Sequence, residues 1–101
     1  MNYALIKKLS LQDQKTLLQR MVKLQEEAGE LAQEVLIDEK ASGSLHKEAG
    51  SDGILGECVD VVLVVLSIYF SKGGNEADLE KYIEYKCSKW EKNQTTLNPS
   101  P

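Results

Sequence analysis

The chain has 101 residues, of which 28% are charged and 42% hydrophobic, and a formal net charge of −4. That length supports one domain with a modest core, and the balance of charged and apolar residues is ordinary for a soluble globular protein. The acidic surplus excludes the basic footprint that non-specific binding to a nucleic-acid polymer needs, but not a mononucleotide, whose charge a metal ion and a few lysines can offset.

Residues Met1–Leu9 (MNYALIKKL) are too short for an assignment and are expected to cover the core; Lys7 and Lys8 interrupt them, so no secretory signal is read there. Ser10 and Asp13 fit a capping box, and a long helix is predicted to follow, to about Ile37. Its apolar residues Leu17, Met21, Leu24, Ala28, Leu31 and Val35 alternate spacings of four and three, a single stripe that requires a partner helix. From Asp38 to Gly53 the apolar period is lost among glycines and serines, which predicts a loop. Ser51 or Asp52 is the candidate cap of a second helix from Ile54 to about Ser71, stopped by Gly73-Gly74. Asn75 is the candidate N-cap of a last helix, with Glu76 and Asp78 complementing its positive end, running to about Lys92. Residues 1–93 thus read as a single domain and 94–101 as a disordered polar tail.

There is no internal repeat and no convincing strand alternation, so the expected class is all-α. It is a bundle of three to four helices per chain. Because GECVDVVLVVLSIYF (Gly56–Phe70) is apolar almost all the way round, the bundle is expected to be completed by oligomerisation, as a homodimer or tetramer. Cys58 and Cys87 have no zinc-site spacing and are expected as buried free thiols in a reducing compartment. The apolar run from Cys58 to Phe70 contains Asp60 and falls short of a span, so no membrane partner and a cytoplasmic location are expected.

The informative feature is acidic. On the long helix Glu27, Glu30 and Glu34 lie roughly 80–140° to one side of the apolar stripe at ~100° per residue, whereas Glu26 points away from it, toward water. On the apolar helix Glu57, Asp60, Ser67 and Ser71 form a narrow polar line. Glu27-x-x-Glu30 and Glu57-x-x-Asp60 can therefore face each other across a helix pair. Four carboxylates so placed repel unless cations neutralise them, and all-oxygen ligands suit Mg²⁺, with Mn²⁺ possible. A di-iron bundle would need Glu-x-x-His, and the one histidine, His46, lies in the predicted loop. The bland alternatives are a solvated helix face with ion pairs such as Lys23–Glu27, and lysines from another helix against Glu57 and Asp60.

The segment Lys23–Ala32, KLQEEAGELA, followed by Glu57–Asp60, ECVD, resembles the EExxE…ExxD signature of the MazG-type all-α nucleoside triphosphate pyrophosphohydrolases. The resemblance spans roughly Leu17 to Asn93 and rests on two motifs in the right order, each in a predicted helix. The superfamily includes all-α dUTPases, dCTP pyrophosphatases and phosphoribosyl-ATP pyrophosphohydrolases. The resemblance implies a dimer or tetramer that converts a nucleoside triphosphate to the monophosphate and pyrophosphate. It also implies Mg²⁺ bound at positions matching Glu27, Glu30, Glu57 and Asp60.

Basic residues on the last helix are then expected to hold phosphates, and Lys86, Lys89 and Asn93 share a face there; family members often carry an arginine near this helix end, where this chain has none. Snorkelling lysines are the alternative. Glu30 or Glu34 is the candidate for orienting the attacking water. Tyr82, Tyr85 and Trp90 are candidate base-stacking groups or simply packing residues. Two rivals to the house-cleaning pyrophosphohydrolase remain at this point. One is a non-catalytic helical dimer acting as an adaptor; the other is phosphoribosyl-ATP pyrophosphohydrolysis on the same fold.

Overall fold

The structure, a computed structural model, describes residues 1–40 and 53–97, with side chains up to residue 94. Four α-helices make up the described residues, with no strand among them: α1 (Tyr3–Gln12), α2 (Leu17–Asp38), α3 (Gly53–Ser71) and α4 (Glu76–Leu97). The all-α expectation holds, with one helix more than the sequence delineated.

That extra helix is α1, formed by the opening residues. Asn2 caps it, its Oδ1 accepting from the Leu5 amide at 3.1 Å. Ser10 and Asp13 do not form the predicted capping box. Ser10 sits inside α1 and donates to the Ile6 carbonyl, while Asp13 closes the helix and its carboxylate accepts from the Lys15 amide. The box that starts α2 is made by Thr16 and Gln19, each side chain bonded to the other's backbone amide at 3.1 and 2.8 Å. Predicting the box at Ser10 failed because a serine three residues before an acid also occurs within a helix, where its hydroxyl returns to the preceding turn.

Helix α3 starts at Gly53, one residue before the prediction, and its proposed caps Ser51 and Asp52 lie outside the described residues, as do 41–52 of the expected loop. Its end follows the glycine prediction. Gly73 has φ of +84°, and the Gly73 and Gly74 amides return to the carbonyls of Phe70 and Tyr69. This is the paired bonding of a Schellman stop. Gly74 also lies flat against the Tyr69 ring, where a Cβ would collide. The Tyr69 hydroxyl in turn accepts from the Asn75 amide and donates to its carbonyl. Asn75 caps α4 as predicted, accepting from the Asp78 amide at 2.8 Å. Helix α4 continues to Leu97, past Lys92 and into the stretch expected as a tail; residues 98–101 lie outside the description.

The core is small. Tyr3, Leu66 and Phe70 are buried, with Ile6, Tyr69 and Leu79 packed against them, so it joins α1, the end of α3 and the root of α4. Beyond that root, residues 80–94 are all exposed. The radius of gyration is 17.0 Å, against about 13 Å for a compact chain of 100 residues. A single chain therefore leaves much apolar surface uncovered, including Leu18, Val22, Leu55, Val62, Tyr82 and Trp90. The same exposure applies to both cysteines: they are free, as expected, but exposed rather than buried.

The face of α2 that meets α3 shares only Leu24 and Leu31 with the stripe read from the sequence. The buried positions are Arg20, Glu27 and Glu34, with Leu24 and Leu31 half-buried between them. The contact face is thus rotated toward the acids, and Met21, Ala28 and Val35 of the predicted stripe stay exposed. Apolar periodicity located a seam that a single chain does not close.

By length and composition α3, at 19 residues and a mean hydropathy of 2.0, is long and apolar enough to cross a membrane. It exceeds the shorter run from which no span was expected.

Candidate metal centre

Helices α2 and α3 run antiparallel. One contact that fixes their register is Arg20, buried at 4% exposure. Its guanidinium donates to the carbonyls of Lys15, Ser10 and Asp13 at 3.2, 3.0 and 2.9 Å, and across to Ser67 of α3 at 3.3 Å. It therefore ties the end of α1, the α1–α2 turn and α3 to the first turn of α2, and its charge sits where the last carbonyls of α1 are most negative. Two helical turns further on, Glu27 meets Glu57 and Asp60. The seven-residue steps from Arg20 to Glu27 and back from Ser67 to Asp60 match, so the clamp and the acidic cluster share one register.

One carboxylate oxygen from each of Glu27, Glu57 and Asp60 lies within 4.8 Å of the other two. Glu27 is buried, and Glu57 and Asp60 are half-buried. Glu27 Oε2 and Glu57 Oε2 are buried without any hydrogen-bond partner. Two desolvated carboxylate oxygens facing a third acid are costly unless a cation sits among them. Burial pushes the Glu57 carboxyl above its ordinary value, and the neighbouring charges of Glu30, Asp60 and Glu27 push it further. Glu30, on the exposed rim, stands within hydrogen-bonding reach of Glu57. The structure thus brings the four predicted ligands to one place, three of them in mutual range and Glu30 alongside. Hard oxygen donors of this kind, two of them buried and unpartnered, are chemically suited to a hard divalent cation.

Comparison with protein-family models, with characterised proteins and with solved structures found no match.

The remaining predicted residues fall in different places. Glu34 is buried on the α3 side of α2, one turn beyond Glu30. Glu26 is exposed, as expected, and shares the Lys23 ammonium with Glu27, at 3.6 and 3.1 Å respectively. The alternative ion pair thus exists, yet it engages only Glu27 Oε1 and leaves Oε2 buried without a partner. Ser67 and Ser71 do not join the carboxylates; their hydroxyls donate to Val64 and Ile68 in their own helix. Lys86, Lys89 and Asn93 lie on the exposed length of α4, and no bond among the described residues links them to the carboxylates of the same chain. Lys86 instead lies 5.8 Å from the Tyr85 ring centre, and Tyr85 meets Tyr82 edge-on.

Sequence reasoning missed Arg20 as an organising residue. The signal was present: Arg20, Leu24, Glu27, Leu31 and Glu34 recur at spacings of four and three. A search restricted to apolar residues passes over it.

Proposed function

We propose that the chain is a Mg²⁺-dependent nucleoside triphosphate pyrophosphohydrolase of the MazG type, acting in nucleotide-pool house-cleaning. The observation that carries this is the pair of buried, unpartnered oxygens on Glu27 and Glu57, two members of a carboxylate cluster that joins the two motif-bearing helices. Glu27, Glu30, Glu57 and Asp60 hold the ion. When bound, Mg²⁺ supplies electrostatic compensation for the charge that develops on the phosphate oxygens. Water attacks phosphorus, the bond to the departing pyrophosphate breaks, and the monophosphate is the second product. Glu30 and Glu34, on successive turns of α2, are the groups placed to orient that water and accept its proton.

The exposed apolar surface of α2, α3 and α4 supports a homodimer or tetramer, in which a second copy covers what one chain leaves open. In that assembly Lys86, Lys89 and Asn93 of one copy approach the carboxylates of another and hold phosphate oxygens. A second copy is a better cover for α3 than a bilayer, because Glu57 and Asp60 lie within that helix and ionisable groups are expensive at membrane depth. The proposed location is cytoplasmic.

The test is pyrophosphate release across a panel of nucleoside triphosphates, with and without Mg²⁺, alongside calorimetric titration of the ion. Metal-dependent release from at least one substrate is expected. Inactivity throughout, with no saturable Mg²⁺ binding, would favour the adaptor reading, which the Lys23–Glu27 ion pair supports.

A further inference from the structure

Beside the carboxylates, between α2, α3 and the α1–α2 turn, lies a cavity of about 210 Å³. Lys15, Arg20 and Lys23 line one side and Leu63, Val64 and Ser67 the other. In a chain of net charge −4 this concentration of cations is unusual. Asp13, also on the wall, pairs with Lys15 at 3.1 Å. Arg20 directs its donors at carbonyl oxygens, which satisfy its hydrogens without cancelling its charge, and no carboxylate forms an ion pair with it among the described residues. The residues lining the cavity therefore carry three cations against the single carboxylate of Asp13, while Glu26 and Glu27, which pair with Lys23, are not among them.

Lys23 connects this cavity to the candidate metal centre. It lines the cavity and pairs with Glu27 Oε1, and Glu27 in turn offers an oxygen to the cluster with Glu57 and Asp60. A phosphate group bridging a cation at the cluster would thus find Lys23 as its next neighbour and the cationic cavity beyond. The volume is smaller than that of sites enclosing whole drug-sized ligands, about 300–1,000 Å³, and suits a fragment.

We propose that this cavity is an anion subsite that takes the pyrophosphate portion of the substrate within a single chain, with Lys15 and Lys23 contacting its oxygens. The proposal rests on the pyrophosphohydrolase reading. It differs from it in placing a phosphate contact at the α1–α2 turn, away from α4.

The experiment is calorimetric titration of inorganic pyrophosphate into the full chain, with and without Mg²⁺, for the wild type, Lys15→Gln and Lys8→Gln. Lys8 is an exposed α1 lysine outside the cavity, so its variant controls for net charge. Lys15→Gln is expected to weaken pyrophosphate binding about three- to fivefold, the effect of one partly exposed ion contact. Mg²⁺ affinity and the Lys8→Gln result should match the wild type. Unchanged pyrophosphate affinity in Lys15→Gln, an equal loss in Lys8→Gln, or no pyrophosphate binding in either condition overturns the subsite. If the wild type takes no Mg²⁺ yet Lys15→Gln still loses pyrophosphate affinity, the metal reading fails and the subsite stands.

Discussion

Replacing Glu57 by glutamine tests the candidate centre through two effects of opposite sign. In the metal-free chain Glu57 stands among like charges, partly desolvated, and one of its oxygens has no partner. The neutral amide removes repulsion and can donate to the surrounding carboxylates. Even the Glu27–Asp60 pair that remains, with oxygens within 4.8 Å, repels by about 1–3 kcal/mol between water-like and surface-like dielectrics. The variant is therefore expected to melt higher than the wild type without metal. With Mg²⁺ at a hundredfold excess over Kd, linkage adds about 2.7 kcal/mol to the wild type. In a domain of this size that corresponds to a rise in Tm of about 10–20 °C. The variant, short of one ligand, should gain only a small part of it. Proton linkage supplies a further sign. The folded Glu57 carboxyl titrates above the ordinary value of 4.5, so the metal-free fold binds the proton more tightly than the unfolded chain does. Its contribution to stability is fullest below that value and is lost as pH rises through the raised one. Mg²⁺ competes with the same proton, so its affinity should increase over that window. Differential scanning fluorimetry at a fixed protein concentration, with and without Mg²⁺, reads all of this. A variant that melts lower without metal, or that responds to Mg²⁺ as the wild type does, would refute the reasoning.

Three further outcomes follow from the helix junctions. Arg20→Met leaves the carbonyls of Ser10, Asp13 and Ser67 without their donor and should cost about 2–4 kcal/mol in urea unfolding; a loss below 1 kcal/mol would show that the clamp is incidental. Gly74→Ala drives a Cβ into the Tyr69 ring and should cost about 1–3 kcal/mol, with the Gly73→Ala change costing about 1–2 kcal/mol through its positive φ. Equal stability of either variant and the wild type would contradict the described turn.

The acidic cluster was more legible in the sequence than the packing around it. Helical spacing and charge point to Glu27, Glu30, Glu57 and Asp60 wherever the residues are helical, and the structure brings Glu27, Glu57 and Asp60 within mutual range with Glu30 acting on Glu57 from alongside. The stripe through Leu17, Met21 and Val35 was a sound amphipathic pattern, but those residues remain exposed in one chain. Periodicity says which face is apolar, not which neighbour covers it. The start of α2 was misplaced because Ser10 and Thr16 offer similar chemistry, and only the Gln19 side chain distinguishes them. Arg20 was invisible to a search for apolar faces because it is a cation doing the work of a core residue.

The equal two-turn steps on α2 and α3 impose a phase rule on this molecule. One residue inserted between Arg20 and Glu27 would swing the carboxylate by about 100° relative to the guanidinium, so that α2 could no longer present both to α3. An insertion of seven would nearly restore the alignment, at the expense of a longer gap between clamp and cluster. Length can therefore change along this helix pair only in near-whole pairs of turns, and a viable variant of altered length should carry matching changes in both helices.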